Sequence, residues 1–526
     1  MMKPICFLPL LLFVFISDLA HAQTMADSTS KQPVSVLNAD NLYLKSPDPN
    51  TELKILAGHV RLKQGTTLFW CDSCVINSNQ HVLEAFGNVH INDNDTSDVY
   101  SDYLQYFTNT KMAYLKGNVK LSDGHAVLTT VDLEYDVNNK IGTYKHGGKV
   151  VNKKSVLTSV EGVYYTDLKD IYFRNTVQLT DPAYYLKTDS LLYNTETQLA
   201  RFIAETYIRD SSQRVIHTRE GTYDVANSHA DFTSRTTMED KSMTVIADRI
   251  ASDNTTGLVQ MEGRAVMRDT AKGTIVLADR IFVDRKKDAF LATKKPLMII
   301  KQDKDSIYVT ADTLFSARLT DLYKDTATRK KLGLKEKDST NRYFEAFRNV
   351  RVFSDSVQSV SDSLFYSFKD SIFHLYYDPV VWSKKSQITG DTIYLYTKNK
   401  KADRIKVIEN SFMVSEIEAG VYNQIKSSKM DGFFKEGTLD SVRAKGLAES
   451  VYFLQDKDSA YTGVNQTKSD ALDIYFEKGE LNKVVFRSDL KGTLYPISQK
   501  RPQEMKLEKF RWLINRRPKT KYELFE

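Results

Sequence analysis

Asp102-Tyr103-Leu104-Gln105-Tyr106 and, slightly further on, Gly117-Asn118-Val119 are the stretches of this sequence that decide its fold. In the first, Leu104 and Tyr106 fall on one face and Gln105 on the other, which is the alternation of a half-buried strand. The second continues into Lys120 and Leu121, with Val119 and Leu121 on one face and Lys120 on the other. Each stretch therefore predicts a β-strand with one apolar face.

Both stretches recur along the chain. The acidic residue that opens the first returns every 28 to 33 residues, with one interval of 50. Two patterns that share one period indicate a repeat protein. The acidic residues are Asp72, Asp102, Asp132, Glu161, Asp189, Glu220, Asp248, Asp279, Asp312, Asp362 and Asp391, and the glycines are Gly58, Gly87, Gly117, Gly148 and Gly263.

A unit of two such strands cannot bury its apolar face alone, so the units must stack. The sequence thus predicts an all-β, elongated, open solenoid of repeats of about 30 residues along one axis. The long interval predicts a charged surface insertion with a short helix. The predicted organisation is repeats over 38–316, the insertion over 317–344, further repeats over 345–420, longer hairpins that close the stack over 421–499, and a basic, aromatic tail over 500–526.

The first 22 residues predict a cleavable signal peptide. Lys3 precedes an apolar run from Ile5 to Ile16, which is too short to span a bilayer, and Ala20-His21-Ala22 is a small-x-small cleavage site. We therefore expect export to the periplasm, with possible association with the outer membrane and without a membrane helix. The net charge of +6 is small for 526 residues and does not indicate nucleic-acid binding.

The signal peptide followed by Gly-x-Val and Asp-x-Leu-x-Tyr units resembles the OstA-like family of periplasmic lipopolysaccharide-transport proteins, over about residues 38–420. The resemblance implies an open, V-shaped β-jellyroll that holds the acyl chains of lipopolysaccharide or a related glycolipid. It also implies end-to-end β-stacking with other OstA-like or LptD-type envelope proteins. The chain is longer than the small bridging members, and we expect it to lack the outer-membrane barrel of the LptD type.

The inward side of the repeats predicts an apolar groove for lipid, with tyrosines near its mouth, where an amphipathic ring suits the boundary between acyl chain and head group. The alternative is that the same side chains fill a closed core. The predicted groove residues are Leu104, Tyr106, Val119, Leu121, Leu133, Tyr135, Leu191, Tyr193, Ile281, Val283, Leu314, Leu364 and Tyr366.

The recurring acidic residues are predicted to stand at a solvent-facing corner of the repeat. A catalytic cluster would be a local exception to the repeat, whereas these residues occur in nearly every unit. The sequence shows no metal-binding spacing of histidines and no nucleophile or phosphate-binding motif, so we predict no catalytic residue, metal or cofactor. A lipid conduit is favoured over an envelope scaffold with a closed core, and both over an enzyme.

Cys71 and Cys74 form a Trp-Cys-x-x-Cys sequence, the spacing of a thiol-disulfide oxidoreductase. Such a site needs the N-terminus of a helix, whereas the repeat predicts a strand in which the two side chains point to opposite faces. A redox site is therefore disfavoured, and a local disulfide or two buried thiols remain.

The tail, 500–526, mixes basic residues with Phe510, Trp512, Tyr522 and Phe525. Two interpretations are open. It could contact anionic head groups or an acidic partner, or it could be strapped along the last strands.

Overall fold

The computed structural model describes residues 33–48, 51–93, 97–301, 306–335, 338, 340–399, 401–456, 460–477, 480–499 and 504–525. The predicted signal peptide lies outside these residues. The described chain is almost entirely strand and forms one continuous antiparallel sheet of stacked hairpins. The all-β, elongated repeat fold predicted from the sequence is confirmed.

Within the described residues, forty strands make up this sheet. The first twenty are β1 (Ser35–Asn38), β2 (Asn41–Asp48), β3 (Thr51–Gln64), β4 (Thr67–Asn77), β5 (Val82–Asp93), β6 (Ser97–Phe107), β7 (Met112–Ser122), β8 (Val127–Asp136), β9 (Ile141–Tyr144), β10 (Gly148–Asn152), β11 (Ser155–Ser159), β12 (Glu161–Tyr165), β13 (Asp170–Asp181), β14 (Tyr184–Asn194), β15 (Leu199–Phe202), β16 (Thr206–Asp210), β17 (Val215–Thr218), β18 (Gly221–Asp224), β19 (His229–Phe232) and β20 (Thr236–Asp240).

The second twenty include the longest strands, which lie near the C-terminus. They are β21 (Met243–Ala247), β22 (Arg249–Asp253), β23 (Leu258–Asp269), β24 (Thr274–Asp284), β25 (Ala289–Thr293), β26 (Leu297–Ile300), β27 (Ile307–Thr310), β28 (Thr313–Ala317), β29 (Tyr343–Phe353), β30 (Gln358–Ser367), β31 (Ile372–Tyr376), β32 (Val380–Ser383), β33 (Ser386–Thr389), β34 (Thr392–Lys398), β35 (Lys401–Glu418), β36 (Val421–Lys435), β37 (Thr438–Gln455), β38 (Tyr461–Glu477), β39 (Glu480–Arg487) and β40 (Lys491–Pro496).

Each pass of the chain bends at a corner, so the sheet folds into two arms that meet like the sides of a V. We call one side the tyrosine arm; it contains residues 53–57, 73–77, 82–86 and 103–107 and their equivalents in later repeats. The other side is the aspartate arm, which contains residues 60–64, 67–71, 89–93 and 97–101 and their equivalents. The apolar faces of the two arms point at each other across the V.

Each corner is a β-bulge, which forms where the Gly-x-Val pattern of one strand pairs with the acidic residue of a neighbouring strand. Between β3 and β4 the pairing shifts so that Gly58 and His59 lie opposite the single residue Asp72. Both bulged residues have positive φ, 81° and 46°. Glycine adopts this left-handed conformation without steric cost, which explains the first residue of the Gly-x-Val pattern.

The acidic residue of one pattern is held by the polar residue of the other. The side-chain amides of Asn88 and Asn118 donate hydrogen bonds of 2.9 and 2.8 Å to the carboxylates of Asp72 and Asp102. At four further corners a histidine or asparagine side chain also hydrogen-bonds to an aspartate, although the residue type or the sequence separation differs. The pairs are His59–Asp40, His146–Asp132, Asn349–Asp312 and Asn410–Asp391. The recurring acids therefore fix the bend of the sheet.

The insertion between β28 and β29 packs on the outer face of the tyrosine arm. It contains α1 (Leu319–Leu322) and α2 (Thr326–Lys331). Leu319 and Tyr323 contact Tyr343 in an apolar cluster of their own. The carboxylate of Asp325 caps α2 by accepting a hydrogen bond from the amide of Thr328, at 2.6 Å.

The tail runs across the outer face of the aspartate arm, from β38 back towards β26. Met505 and Leu507 pack against Phe412 and Phe453, further along Leu513 and Ile514 cover Trp382, and near the end Leu524 contacts Leu297 and Phe353. In this part of the arm both faces of β32 and β33 are buried. Residues 504–525 are therefore strapped along the strands, as the second interpretation of the tail expects.

Candidate functional site: the slot between the two arms

The space between the arms is the candidate functional site, and we call it the slot. Along the tyrosine arm of one unit, Leu104 faces the slot near the corner and Tyr106 faces it further out. Along the aspartate arm, Val119 and Leu121 face it in turn and Asp123 follows at the mouth. The slot is thus apolar at its base and polar at its mouth.

The predicted groove residues all lie in this slot. They belong to one continuous apolar cluster that runs from Leu56 to Ile474. Leu104, Tyr106, Val119, Leu121, Leu133, Tyr135, Leu191, Tyr193, Ile281, Leu314 and Leu364 are fully buried, and Val283 and Tyr366 are partly buried against them. Contact of these residues with lipid stays a prediction.

Tyrosine hydroxyl groups form a row along the mouth in five successive units. They are opposed by a row of acids and amides on the aspartate arm. The Tyr106 hydroxyl donates to Oε1 of Gln64 at 2.5 Å, and the Tyr135 hydroxyl lies 2.9 Å from Ser97 Oγ and 3.5 Å from Asp93 Oδ2. The tyrosines are Tyr106, Tyr135, Tyr164, Tyr193 and Tyr223, and the facing residues are Gln64, Asp93, Asp123, Asn152 and Asp181.

Burial keeps these hydroxyl groups protonated. It raises the pKa of Tyr135 and of Tyr193 to about 12, and it raises the pKa of Tyr106 and Tyr164 as well. A protonated phenol is a hydrogen-bond donor, and the hydroxyl groups of Tyr106 and Tyr135 reach an acceptor on the opposite arm. Those of Tyr164 and Tyr193 are buried without a hydrogen-bond partner among the described residues. The mouth is therefore a place where the arms are joined by hydrogen bonds.

The two acids Asp93 and Asp123 occupy equivalent positions in successive units but differ in environment. Burial raises the pKa of Asp93 above its ordinary value, despite a hydrogen bond from Thr67. Burial pushes the pKa of Asp123 in the same direction, but hydrogen bonds from the Thr195 hydroxyl and the amides of Ala126 and His125 outweigh it, so the pKa of Asp123 is lowered.

We expect Asp93→Asn and Asp123→Asn to have opposite effects on stability at neutral pH. Because the pKa of Asp93 is raised, its contribution to stability is present below the unfolded pKa of 3.8 and is lost as the pH rises through the folded value. At neutral pH the ionised carboxylate no longer stabilises the fold, so the Asp93→Asn variant should be at least as stable as the parent. The lowered pKa of Asp123 stabilises the fold above 3.8 and the effect is lost as pH falls through the folded value.

At neutral pH Asp123→Asn should therefore lose about 1–2 kcal/mol of the free energy of unfolding. Denaturant unfolding of both variants over a range of pH measures this. Equal losses in the two variants at neutral pH would contradict the different roles of the two acids.

The row of acids and amides was missed by sequence reasoning. A signal for it exists, since Gln64, Asp93 and Asp123 each stand four residues after the valine of a Gly-x-Val pattern. A polar residue at the end of an alternating strand looks like the start of a turn, so its inward direction was not evident.

A cavity of about 710 Å³ opens in the slot between β29 to β31 and β34 to β37. Phe373, Leu375 and Leu395 line it from the tyrosine arm, and Val352 and Val357 from the aspartate arm. Its rim is polar and carries Ser354, Ser356, Lys384, Thr397, Asn399, Lys401 and Glu436. None of these five apolar residues was among the predicted groove residues.

Cys71 and Cys74 both point into the slot. The expectation that they face opposite sides is wrong, because Asp72, which lies opposite the bulged residues Gly58 and His59, stands between them and the alternation of β4 is reversed there. Both thiols are free and buried in the main apolar cluster. A hydrogen bond between them lowers the pKa of Cys71, and the same contact together with burial raises the pKa of Cys74.

Within the described residues, we find no group of three or more His, Cys, Asp or Glu side chains placed to hold a metal ion. The helices in this part of the chain are all too short or too polar to cross a membrane.

The fold and its slot define a class of protein, the bent antiparallel β-jellyroll with an apolar interior. Residues 31–189 match the family model described as OstA-like protein, which confirms the resemblance read from the two recurring patterns over that part of the chain. The predicted extent to residue 420 exceeds this match, although the same corners and arms continue beyond it.

Among solved structures, the chain matches the crystal structure of LptH, "the LptA homologous periplasmic component of the conserved lipopolysaccharide transport device from Pseudomonas aeruginosa". Sequence identity is 19%, the match covers 21% of this chain and 81% of that chain, and the TM-score is 0.19. No curated protein matches the chain.

Proposed function

We propose that this protein is a lipid conduit of the periplasm, which carries lipopolysaccharide or a related glycolipid towards the outer membrane. The acyl chains lie in the slot and the sugars stay outside it. The observation that supports this most is the cavity of about 710 Å³, which lies within the apolar interior and opens through a polar rim. This volume is in the range of about 300–1,000 Å³ that is typical of ligand sites.

The energetics favour such a ligand. Transfer of an acyl chain into an apolar slot gains about 0.8 kcal/mol for each methylene group that is buried. Only part of one chain is needed for useful affinity. Where the slot is open, neighbouring units offer apolar surfaces along one axis, so a bound chain can shift between adjacent positions.

The second candidate function is an envelope scaffold with a closed core. It is favoured by the near-zero exposure of Leu104, Tyr106 and Leu121, which fill the slot in the first repeats. The two functions differ in whether lipid accompanies the protein.

We further propose that the terminal strand β2 docks a related envelope protein by end-to-end β-stacking. In the described chain β2 pairs on one side with β3, and all eight of its residues are exposed. Leu42, Tyr43 and Leu44 are between 58% and 67% exposed. An uncovered strand edge with apolar side chains is a template for addition of another strand.

Native mass spectrometry of the protein purified from its own envelope tests both proposals. A glycolipid with several acyl chains should co-purify in a stoichiometric complex, and complexes with a second envelope protein should be reduced by Leu44→Lys. Protein that is free of lipid after gentle extraction would favour the scaffold. Protein with lipid but without any protein partner would contradict the stacking proposal alone.

A further inference from the structure

The slot is bridged by hydrogen bonds in one part of the array. Besides the contacts of Tyr106 and Tyr135, the Thr195 hydroxyl donates to Asp123 Oδ2 at 2.6 Å, and Asn152 Nδ2 donates to the carbonyl of Thr195 at 2.5 Å. Among the described residues, the last bridge of this kind joins Arg214 to Asn254 Oδ1 at 3.0 Å. We call this set, from Gln64 to Asn254, the latch.

The latch keeps acyl chains out of the first repeats. Its donors and acceptors are buried, so separating the arms would leave several polar groups without partners in an apolar interior. The tyrosine rings also fill the space that an acyl chain would need. For example, the ring centroids of Tyr184 and Tyr223 are 4.3 Å apart. Insertion of lipid here must break both the hydrogen bonds and the packing.

The tyrosine row ends where the latch ends. The equivalent position in the next three units holds Ser252, Val283 and Ser316, which fill less volume than tyrosine. The walls here are rich in methionine, a flexible side chain that adapts to irregular ligands. A cavity of about 70 Å³ lies between them, lined by Met243, Met267, Met298, Val283 and Phe290 among others.

The large cavity lies beyond this transition. Its lining combines an apolar base, with Phe373 and Leu395, and a rim of hydroxyl, amide and charged groups, among them Ser356, Asn399 and Lys401. This arrangement suits an amphiphile whose chain lies inside and whose polar head stays at the rim. A lipid with a hydroxylated or phosphorylated head matches these groups.

We propose that the acyl-chain site of this protein is the slot between Val352 and Ala402, and that the latched repeats between Gln64 and Asn254 do not hold acyl chains. The inference rests on the proposed function and locates its ligand outside the part that matches the family model, 31–189. Chains enter sideways through the polar rim of the large cavity.

Photo-crosslinking at two equivalent positions of the repeat tests this proposal. A benzophenone amino acid replaces Leu395, which lines the cavity, or Tyr106, which belongs to the latch. After irradiation of intact cells, lipid adducts should form at position 395 and not at position 106. Adducts at both positions, or at position 106 alone, would overturn the inference and leave the proposed function standing. No lipid adduct at either position would contradict both.

Binding of a fluorescent long-chain fatty acid to the purified full chain gives a second measurement. Leu395→Trp fills the cavity and should weaken the Kd about tenfold or more. Leu168→Trp, in the exposed turn between β12 and β13, and Tyr106→Phe, which removes a latch donor, should leave the Kd within about twofold. Thermal unfolding checks that all three variants fold. A folded Leu395→Trp variant with unchanged Kd would overturn the assignment of the site.

Discussion

Chains that end at Gln499 are expected to aggregate and to lose the cooperative unfolding of the C-terminal repeats. The tail covers apolar side chains on the outer face of the aspartate arm, among them Val380, Trp382, Phe412 and Phe453. Each large apolar side chain that becomes exposed costs about 1.5–3 kcal/mol, so the total is on the order of 10 kcal/mol. That is comparable to the whole stability of a typical domain.

Size-exclusion chromatography and binding of a hydrophobic dye measure this effect. A truncated chain that stays monomeric, with the melting temperature of the full chain, would contradict it. The docking interpretation makes a different prediction, since it expects a folded truncated chain that is lost from the membrane fraction.

A single substitution separates the hydrogen bonds of the tail from its apolar contacts. Gln387 donates to the carbonyl of Arg511 at 2.8 Å and accepts from the amide of Leu513 at 2.7 Å, and Gln424 holds Met505 and Leu507 in the same way. Gln387→Leu should therefore cost only about 2–3 kcal/mol, because the apolar cover stays in place. A loss as large as that of the truncation would show that the hydrogen bonds dominate.

The architecture could be predicted from the sequence because the same residue patterns recur in most repeat units. The acid and the glycine are local signals, and they meet at one corner because their period is the same. Asp72 and Gly87 illustrate this, since a Cβ atom on Gly87 would lie 2.3 Å from the Asp72 carboxylate. Repetition turned weak local patterns into a strong prediction of the fold.

The direction of individual side chains was harder to predict, because the bulge at each corner reverses the alternation of the paired strand. Cys71 and Cys74 show the consequence. A straight strand would place them on opposite faces, whereas the bulge opposite Asp72 leaves both pointing inward. The bulge is a property of the pair of strands, so a single strand read alone does not reveal it.

The openness of the slot and the position of the tail depend on contacts that are distant in sequence. Tyr106 fills its part of the slot, whereas Leu395, at the equivalent position, borders a cavity. The difference arises from the side chains of both arms together. Gln358 and Gln387 are 29 residues apart and both contact the tail, yet nothing near them in sequence indicates a partner more than a hundred residues away.

Gly117→Ala is expected to destabilise the protein by about 3 kcal/mol. Gly117 has a φ of 75°, and a Cβ atom there would lie 2.6 Å from Oδ2 of Asp102. Alanine therefore meets the cost of left-handed backbone, about 1–2 kcal/mol, and in addition disrupts the contact that holds the corner.

Gly124→Ala is the matched control for this corner. Gly124 has a φ of 83°, but a Cβ atom there would meet nothing within 4 Å, so only the backbone cost of about 1–2 kcal/mol remains. Denaturant unfolding of both variants measures the difference, and Asp102→Ala in the Gly117→Ala background should recover part of it by removing the clash. Equal losses at Gly117 and Gly124, with no recovery in the double variant, would mean that the bend of the sheet does not depend on the approach of the acid to the glycine. The corner would then be set by backbone conformation alone, and the acid that recurs in nearly every unit would have to be explained by its effect on solubility rather than by the fold.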